Sequence, residues 1–190
     1  MTLPMKKISN KISIISGSTR KKSTSELLSN GIRNSLTNQG FIVDIITCFD
    51  IPLFSEDLEG DKKPSSIINI EKKISESTGV IICTPEYNSS IPGSTKNLLD
   101  WLSRPHDLGA LRNKIISIVV HTPFEKGGGG AYSDLSRILS HMGNVVLHDR
   151  MGRVSGFRKK DGEIVKSWQE SLDLLIDNYI KFIHRLNVGE

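Results

Sequence analysis

Long apolar runs are missing from this 190-residue sequence. Nowhere do about 18 consecutive apolar residues occur, the length a membrane-crossing helix needs, so the chain is expected to work without a membrane. Cysteine is nearly missing as well. Cys48 and Cys83 are too few for a disulfide framework and lie beside apolar runs, where reduced, buried thiols are expected, as in a cytoplasmic protein. The opening MTLPMKKISN carries positive charge but no apolar stretch follows it, which argues against a secretory leader. There is no large excess of one charge: 25 basic residues face 21 acidic ones, for a net charge of +4. That is a mixed surface rather than a nucleic-acid arm, with a mild bias toward anionic ligands.

Several chemical signatures are absent too. No G-x-x-x-x-G-K-[ST] or G-x-G-x-x-G occurs, which removes the nucleotide P-loop and the usual dinucleotide fingerprint. No G-x-S-x-G occurs, and His106, His121, His141, His148 and His184 show no metal-ligand spacing, so a serine hydrolase of that class and a metal site are both disfavoured.

What is present is a regular alternation. KISIISG (Lys11 to Gly17), FIVDIITC (Phe41 to Cys48), GVIICT (Gly79 to Thr84), KIISIVV (Lys114 to Val120) and NVVLHD (Asn144 to Asp149) read as five strands. Helical spacing fills the gaps, in the stretch ending at Gly40, from Ser65, from Gly93 and in the stretch ending at Gly143. A last helix is marked by Trp168, Leu172, Leu175, Ile176, Tyr179, Ile180 and Ile183. Strands apolar on both faces, each followed by a helix, predict one α/β domain over residues 1–190, a doubly wound parallel sheet with helices on both sides. Only Gly152 to Gly162 reads as a surface loop or short hairpin.

In such sheets a ligand sits beyond the carboxyl ends of the strands, which directs attention to three loops. The first, SGSTRKKSTSE (Ser16 to Glu26), offers Ser18, Thr19, Ser23, Thr24 and Ser25 with Arg20, Lys21 and Lys22 at a helix start. Hydroxyls and an arginine at a helix N-terminus suit a terminal phosphate, although one of these hydroxyls is needed simply to cap the helix. With both nucleotide fingerprints missing, a mononucleotide is the expected ligand. The second, TPEYNSSIPG (Thr84 to Gly93), is stiffened by Pro85 and Pro92 and offers Glu86, Tyr87 and Asn88 to the edge of a flat ring; a tight connection with its tyrosine in the core is the alternative. The third, HTPFEKGGGGA (His121 to Ala131), has the four glycines Gly127 to Gly130, which permit either close backbone approach or a loose tip.

The stretch TPEYNSSIPGSTKNLLDWLSRP (Thr84 to Pro105) resembles the flavin loop of the NADPH-dependent FMN reductase family, and GSTRKKSTSE resembles that family's phosphate loop. DIPLFSEDLEGD (Asp50 to Asp61) and the glycine-rich third loop extend the resemblance from about Lys11 to Asp149. It implies a flavodoxin-like three-layer sandwich, a five-stranded parallel sheet of order 2-1-3-4-5. It also implies that Ser18, Arg20, Ser23 and Ser25, with Thr24 beside them, hold the FMN phosphate. Pro85, Glu86, Tyr87 and Asn88 would line the isoalloxazine ring, largely through backbone N–H groups, and Thr122 would stand in for a serine contacting the flavin. Departures are Ser25 where relatives usually carry asparagine, Gly129 and Gly130 where an arginine is frequent, and Ser89 in place of an aromatic of some chromate reductases.

The resemblance implies an NAD(P)H-dependent enzyme with bound FMN and NADPH or NADH as cosubstrate. It would reduce a small-molecule electron acceptor such as a quinone, azo compound or chromate by a ping-pong mechanism, with no catalytic side chain required. A non-enzymatic FMN electron carrier or a flavin sensor is the alternative. A homodimer or homotetramer is implied as well, and Leu98, Leu99, Trp101 and Leu102 offer more apolar surface than one helix stripe needs, compatible with an interface or with core packing alone.

Overall fold

Strand and helix alternate as the pattern predicts. The computed structural model describes residues 10–124, 127–156 and 166–188. Within them run β1 (Lys11–Ser16), α1 (Thr24–Asn38), β2 (Ile42–Thr47), α2 (Ser65–Glu76), β3 (Gly79–Pro85), α3 (Gly93–Leu102), β4 (Ile115–His121), α4 (Gly129–His141), β5 (Val145–Leu147), β6 (Arg153–Val154) and α5 (Lys166–Val188). The main path of the sheet is β2-β1-β3-β4-β5, with every pairing parallel, as connections through helices require.

Burial explains the run-like composition of the strands. β3 lies at the centre and is buried at all seven positions, whereas β2, at the edge, is exposed at both ends. Side-chain direction alternates along each strand and so divides the core in two. Ile12, Ile14, Ile81 and Cys83 pack with Leu28, Ile32 and Leu36 of α1 and with Leu172, Leu175, Ile176 and Tyr179 of α5. Ile15, Val80, Ile82, Ile116 and Ile118 pack on the other face with α2, α3 and α4. Each fully buried Leu or Ile contributes about 1.5–3 kcal/mol relative to exposure. The ion pairs, mostly half-exposed, contribute about 0–1 kcal/mol apiece, so the two apolar layers hold the sheet.

The structure adds a sixth strand to the expected five. After β5 a 3-10 turn over Arg150–Gly152, capped by Asp149 accepting from the Met151 N–H, returns the chain to the sheet, where β6 pairs parallel with Val120 and His121 of β4. A two-residue strand is too short to create a period in sequence. The segment from Gly152, expected as a loop or hairpin, therefore begins as a parallel sheet strand, and its basic residues Arg158, Lys159 and Lys160 lie outside the described residues.

For α3 the structure supports the core-packing alternative. Leu98, Leu99, Trp101 and Leu102 are all buried, and the Trp101 indole N–H donates to the Pro52 carbonyl at 2.8 Å. The protomer core absorbs the apolar surface that had suggested an interface. No described helix is long and apolar enough to cross a membrane.

Candidate functional site

The first loop leaves β1 beside β3, with the Gly17 N–H donating to the Cys83 carbonyl at 2.7 Å and the Gly17 carbonyl accepting from the Ser94 and Thr95 hydroxyls of α3. The turn passes through Lys22 in the left-handed region (φ 53°) and enters α1 at Ser23. Ser23 Oγ accepts from the Glu26 N–H at 3.1 Å, and the Ser23 carbonyl accepts from Leu27. An α-helix gives its first N–H groups no intrahelical acceptor, so those of Thr24 and Ser25 remain available to a ligand. Arg20 is exposed, its N–H donates to Ser18 Oγ at 3.2 Å, and among the described residues it forms no ion pair.

One expected hydroxyl does not face the cradle. Ser25 is fully buried, and its Oγ lies 2.7 Å from Nε2 of His121 at the end of β4. The side chain is turned inward because position 25, one residue into the first turn of α1, faces the sheet. Its contribution is to tie the first loop to β4.

The second loop is a two-residue hairpin turn. Tyr87 and Ser90 exchange backbone hydrogen bonds of 2.9 and 3.0 Å, and the intervening Asn88 (φ 50°) and Ser89 (φ 61°) are both left-handed. Two successive positive φ values define the type I′ turn, a conformation asparagine tolerates better than most residues. Asn88 is exposed at the tip and outside the pocket described below. Two of the expected backbone donors are engaged as well: the Glu86 N–H donates to the His121 carbonyl at 3.1 Å and the Tyr87 N–H is held by the turn, while proline has no N–H. The Glu86 and Tyr87 N–H groups are therefore not open donors in this conformation.

The third loop is neither a loose tip nor a simple connection in its described part. The Glu86 carboxylate reaches across to accept from the Gly128 N–H at 2.7 Å and from the Ala131 N–H at 3.2 Å, capping α4. A carboxylate at a helix N-terminus is stabilised by the unpaired N–H groups and the positive dipole end. Gly128, at the cap, has φ 80°, and a Cβ on Gly130 would stand 2.0 Å from the Ser89 carbonyl oxygen. The glycines are needed because the second loop lies directly on the third. Ser90 reinforces the contact by donating to Asp134 of α4 at 2.7 Å. Thr122 is buried beneath the loop, its N–H donating to Val154 of β6 and its Oγ1 accepting weakly from the Phe124 N–H at 3.4 Å, so it does not line the pocket.

Together the three loops enclose a cavity of about 350 Å³ lined by Ser18, Arg20, Ser23, Thr24, Pro85, Glu86, Tyr87, His121 and Pro123. Seven of the ten residues singled out in the sequence meet here, and Ser25, Asn88 and Thr122 do not line it. His121 and Pro123 were not among the ten. The in-register pairing of Pro85 with His121 brings them in, and their sequence signal was their place in the third loop, just past the apolar run of β4.

The donor set fits a phosphate-ended flavin. A guanidinium with no ion pair among the described residues, serine and threonine hydroxyls and helix N–H groups suit the phosphate, while two prolines and a half-exposed tyrosine suit a flat heterocycle. Burial pushes the thiols of Cys48 and Cys83 up to about 12, so both are held as thiols rather than thiolates. Among the described residues no cluster could hold a metal ion.

Comparison with known proteins gives a consistent picture. The chain is 32% identical over 120 residues to a quinone reductase of Pseudomonas putida, a match covering 63% of this chain and 64% of that protein, just under two thirds of its length. It is 31% identical over 138 residues to a 2-hydroxy-1,4-benzoquinone reductase of a Burkholderia species, covering 73% of this chain and 74% of the relative. In fold it is similar to a flavoenzyme NAD(P)H:(acceptor) oxidoreductase from Paracoccus denitrificans, with a TM-score of 0.78 at 23% identity over 92% of this chain and 97% of that one. The family model for NADPH-dependent FMN reductases matches residues 10–154. The chain belongs to the NADPH-dependent FMN reductase family, flavodoxin-like oxidoreductases that use FMN as cofactor and NAD(P)H as cosubstrate.

Proposed function

We propose that the chain is an NAD(P)H-dependent FMN oxidoreductase that reduces a small-molecule acceptor, with quinones the first class to screen, as the names of its relatives suggest. The observation that carries this reading is the cavity itself, in which an arginine with no ion pair among the described residues and the open helix end of α1 face a loop fixed by a left-handed turn. In this reading Arg20, Ser18, Ser23 and Thr24 hold the FMN phosphate, and Pro85, Glu86 and Tyr87 line the ring. Ser25 holds the first loop in place through His121, and Glu86 holds the third loop in place through α4. Asn88 and Thr122 serve the loops' conformation rather than the ligand. Bound there, FMN would supply two-electron chemistry, accepting hydride from NAD(P)H and returning the electrons to the acceptor in a separate half-reaction.

The protein's contribution is positional: it fixes the phosphate end and leaves Tyr87, half-exposed, at the open side where cosubstrate and acceptor arrive in turn. Initial rates with NADPH and a benzoquinone should give parallel double-reciprocal lines. Intersecting lines, which require both substrates bound together, would refute the alternating mechanism. Azo compounds and chromate belong to the same acceptor screen.

A further inference from the structure

Three hydroxyls, one from β3 and two from α3, converge where the first loop leaves the sheet. Thr95 Oγ1 and Ser94 Oγ each donate to the Gly17 carbonyl at 3.1 Å, and Thr84 Oγ1 lies 3.1 Å from Thr95 Oγ1. A hydroxyl has one proton to give, and Thr95 gives its own to Gly17. In the contact between the two threonines it is therefore Thr84 that donates, while it also approaches the Pro85 carbonyl at 3.3 Å. The Gly17 N–H donates to the Cys83 carbonyl at 2.7 Å, so both polar groups of Gly17 are held.

Thr84 and Thr95 are both buried, where each hydroxyl needs its partner. A pair of apolar residues of the same shape would fill this space without that requirement, so fold stability alone does not call for two threonines. The fit is also close. A Cβ on Gly17 would stand 2.5 Å from Thr95 Oγ1 and 2.7 Å from Thr84 Oγ1, so only glycine lets the loop come this near. What the hydroxyls secure is position. Gly17 precedes Ser18, which lines the cavity on the side of Arg20, and Thr84 precedes Pro85, which lines it on the side of Tyr87. Thr95 itself does not line the cavity, yet its one oxygen joins the two sides.

We propose that Thr95, supported by Ser94, is a positioning residue that sets the spacing between the phosphate side and the ring side of the pocket, and through it the selectivity of this chain for a phosphorylated flavin over riboflavin. The assignment rests on the reading of the cavity as the flavin pocket. A ligand gripped at both ends gains from the second grip only while the spacing of the two matches its length. Riboflavin, with no phosphate, has no such second grip to lose.

The test measures Kd for FMN and for riboflavin by fluorescence titration on the full chain, as wild type, Thr95→Val, Thr95→Ser and Ser94→Ala, with Tm recorded for each. Wild type binds FMN more tightly than riboflavin, because the phosphate adds charge-assisted contacts. Thr95→Val keeps the shape and removes the donor, and the preference for FMN over riboflavin is expected to fall about tenfold. Thr95→Ser restores it. Ser94→Ala, at a partly exposed position, lowers it less and in the same direction. A residue that only packs would lower Tm, or weaken both flavins by one factor, and a preference unchanged in Thr95→Val overturns the proposal. Should Thr95→Val fail to fold, Ser94→Ala decides, and an unchanged preference there is equally fatal. Wild type that binds FMN and riboflavin alike overturns this proposal and leaves the function proposed above standing, whereas wild type that binds neither overturns both.

Discussion

Arg20 combines three properties that direct it toward an anion: exposure, no ion pair among the described residues, and a place one turn before an open helix end. A charge-assisted contact to phosphate is worth about 1.5–3 kcal/mol, so Arg20→Ala should raise the Kd for FMN about tenfold to a hundredfold in a fluorescence titration. An unchanged Kd would remove Arg20 from the site. Glu86 makes a separate prediction because its carboxylate accepts from two N–H groups of the α4 turn. Losing such a cap costs about 0.5–2 kcal/mol, so Glu86→Ala should lower Tm by a few degrees, and Glu86→Gln, which keeps one carbonyl acceptor, should lose less. A Tm for Glu86→Ala equal to wild type would contradict the capping role. The cluster of hydroxyls and cations before α1 was legible in the sequence because residue type alone carries that chemistry. The inward turn of Ser25 and the reach of Glu86 to α4 were not, since both depend on which strands become neighbours.

Among the elements, the long strands and helices were legible because burial writes a period into them. β3 is apolar on both faces and reads as a run, and α5 shows intervals of three and four that end in its buried stripe. The short pieces were not. β6 holds two residues and is defined by its pairing with β4, and the hairpin turn of the second loop is defined by the φ values of Asn88 and Ser89. The tie between α5 and the sheet belongs to this scale. Tyr179 is fully buried, and its hydroxyl lies 3.1 Å from the Val80 carbonyl and 2.8 Å from that of Ile115, at the amino ends of β3 and β4. Tyr179→Phe should lower unfolding free energy by about 1 kcal/mol in denaturant titration, with FMN affinity unchanged because the pocket lies at the opposite ends of the strands. A loss of flavin affinity equal to that of Arg20→Ala would show that the two ends are coupled.

At the scale of the whole molecule, the parallel sheet of order β2-β1-β3-β4-β5 delivers the ends of β1, β3 and β4 to one rim, and the three loops that carry the unusual chemistry follow from that order. The modest positive charge is spread over 25 basic and 21 acidic residues, and at this rim the fold places Arg20 beside the start of α1. The most direct test of the central claim is the visible spectrum of the purified chain, loaded with FMN and desalted, before and after anaerobic addition of NADPH. The account predicts that flavin absorbance is retained through desalting and bleaches on addition. A chain that retains no flavin, or whose retained flavin is bleached by neither NADPH nor NADH, would contradict it.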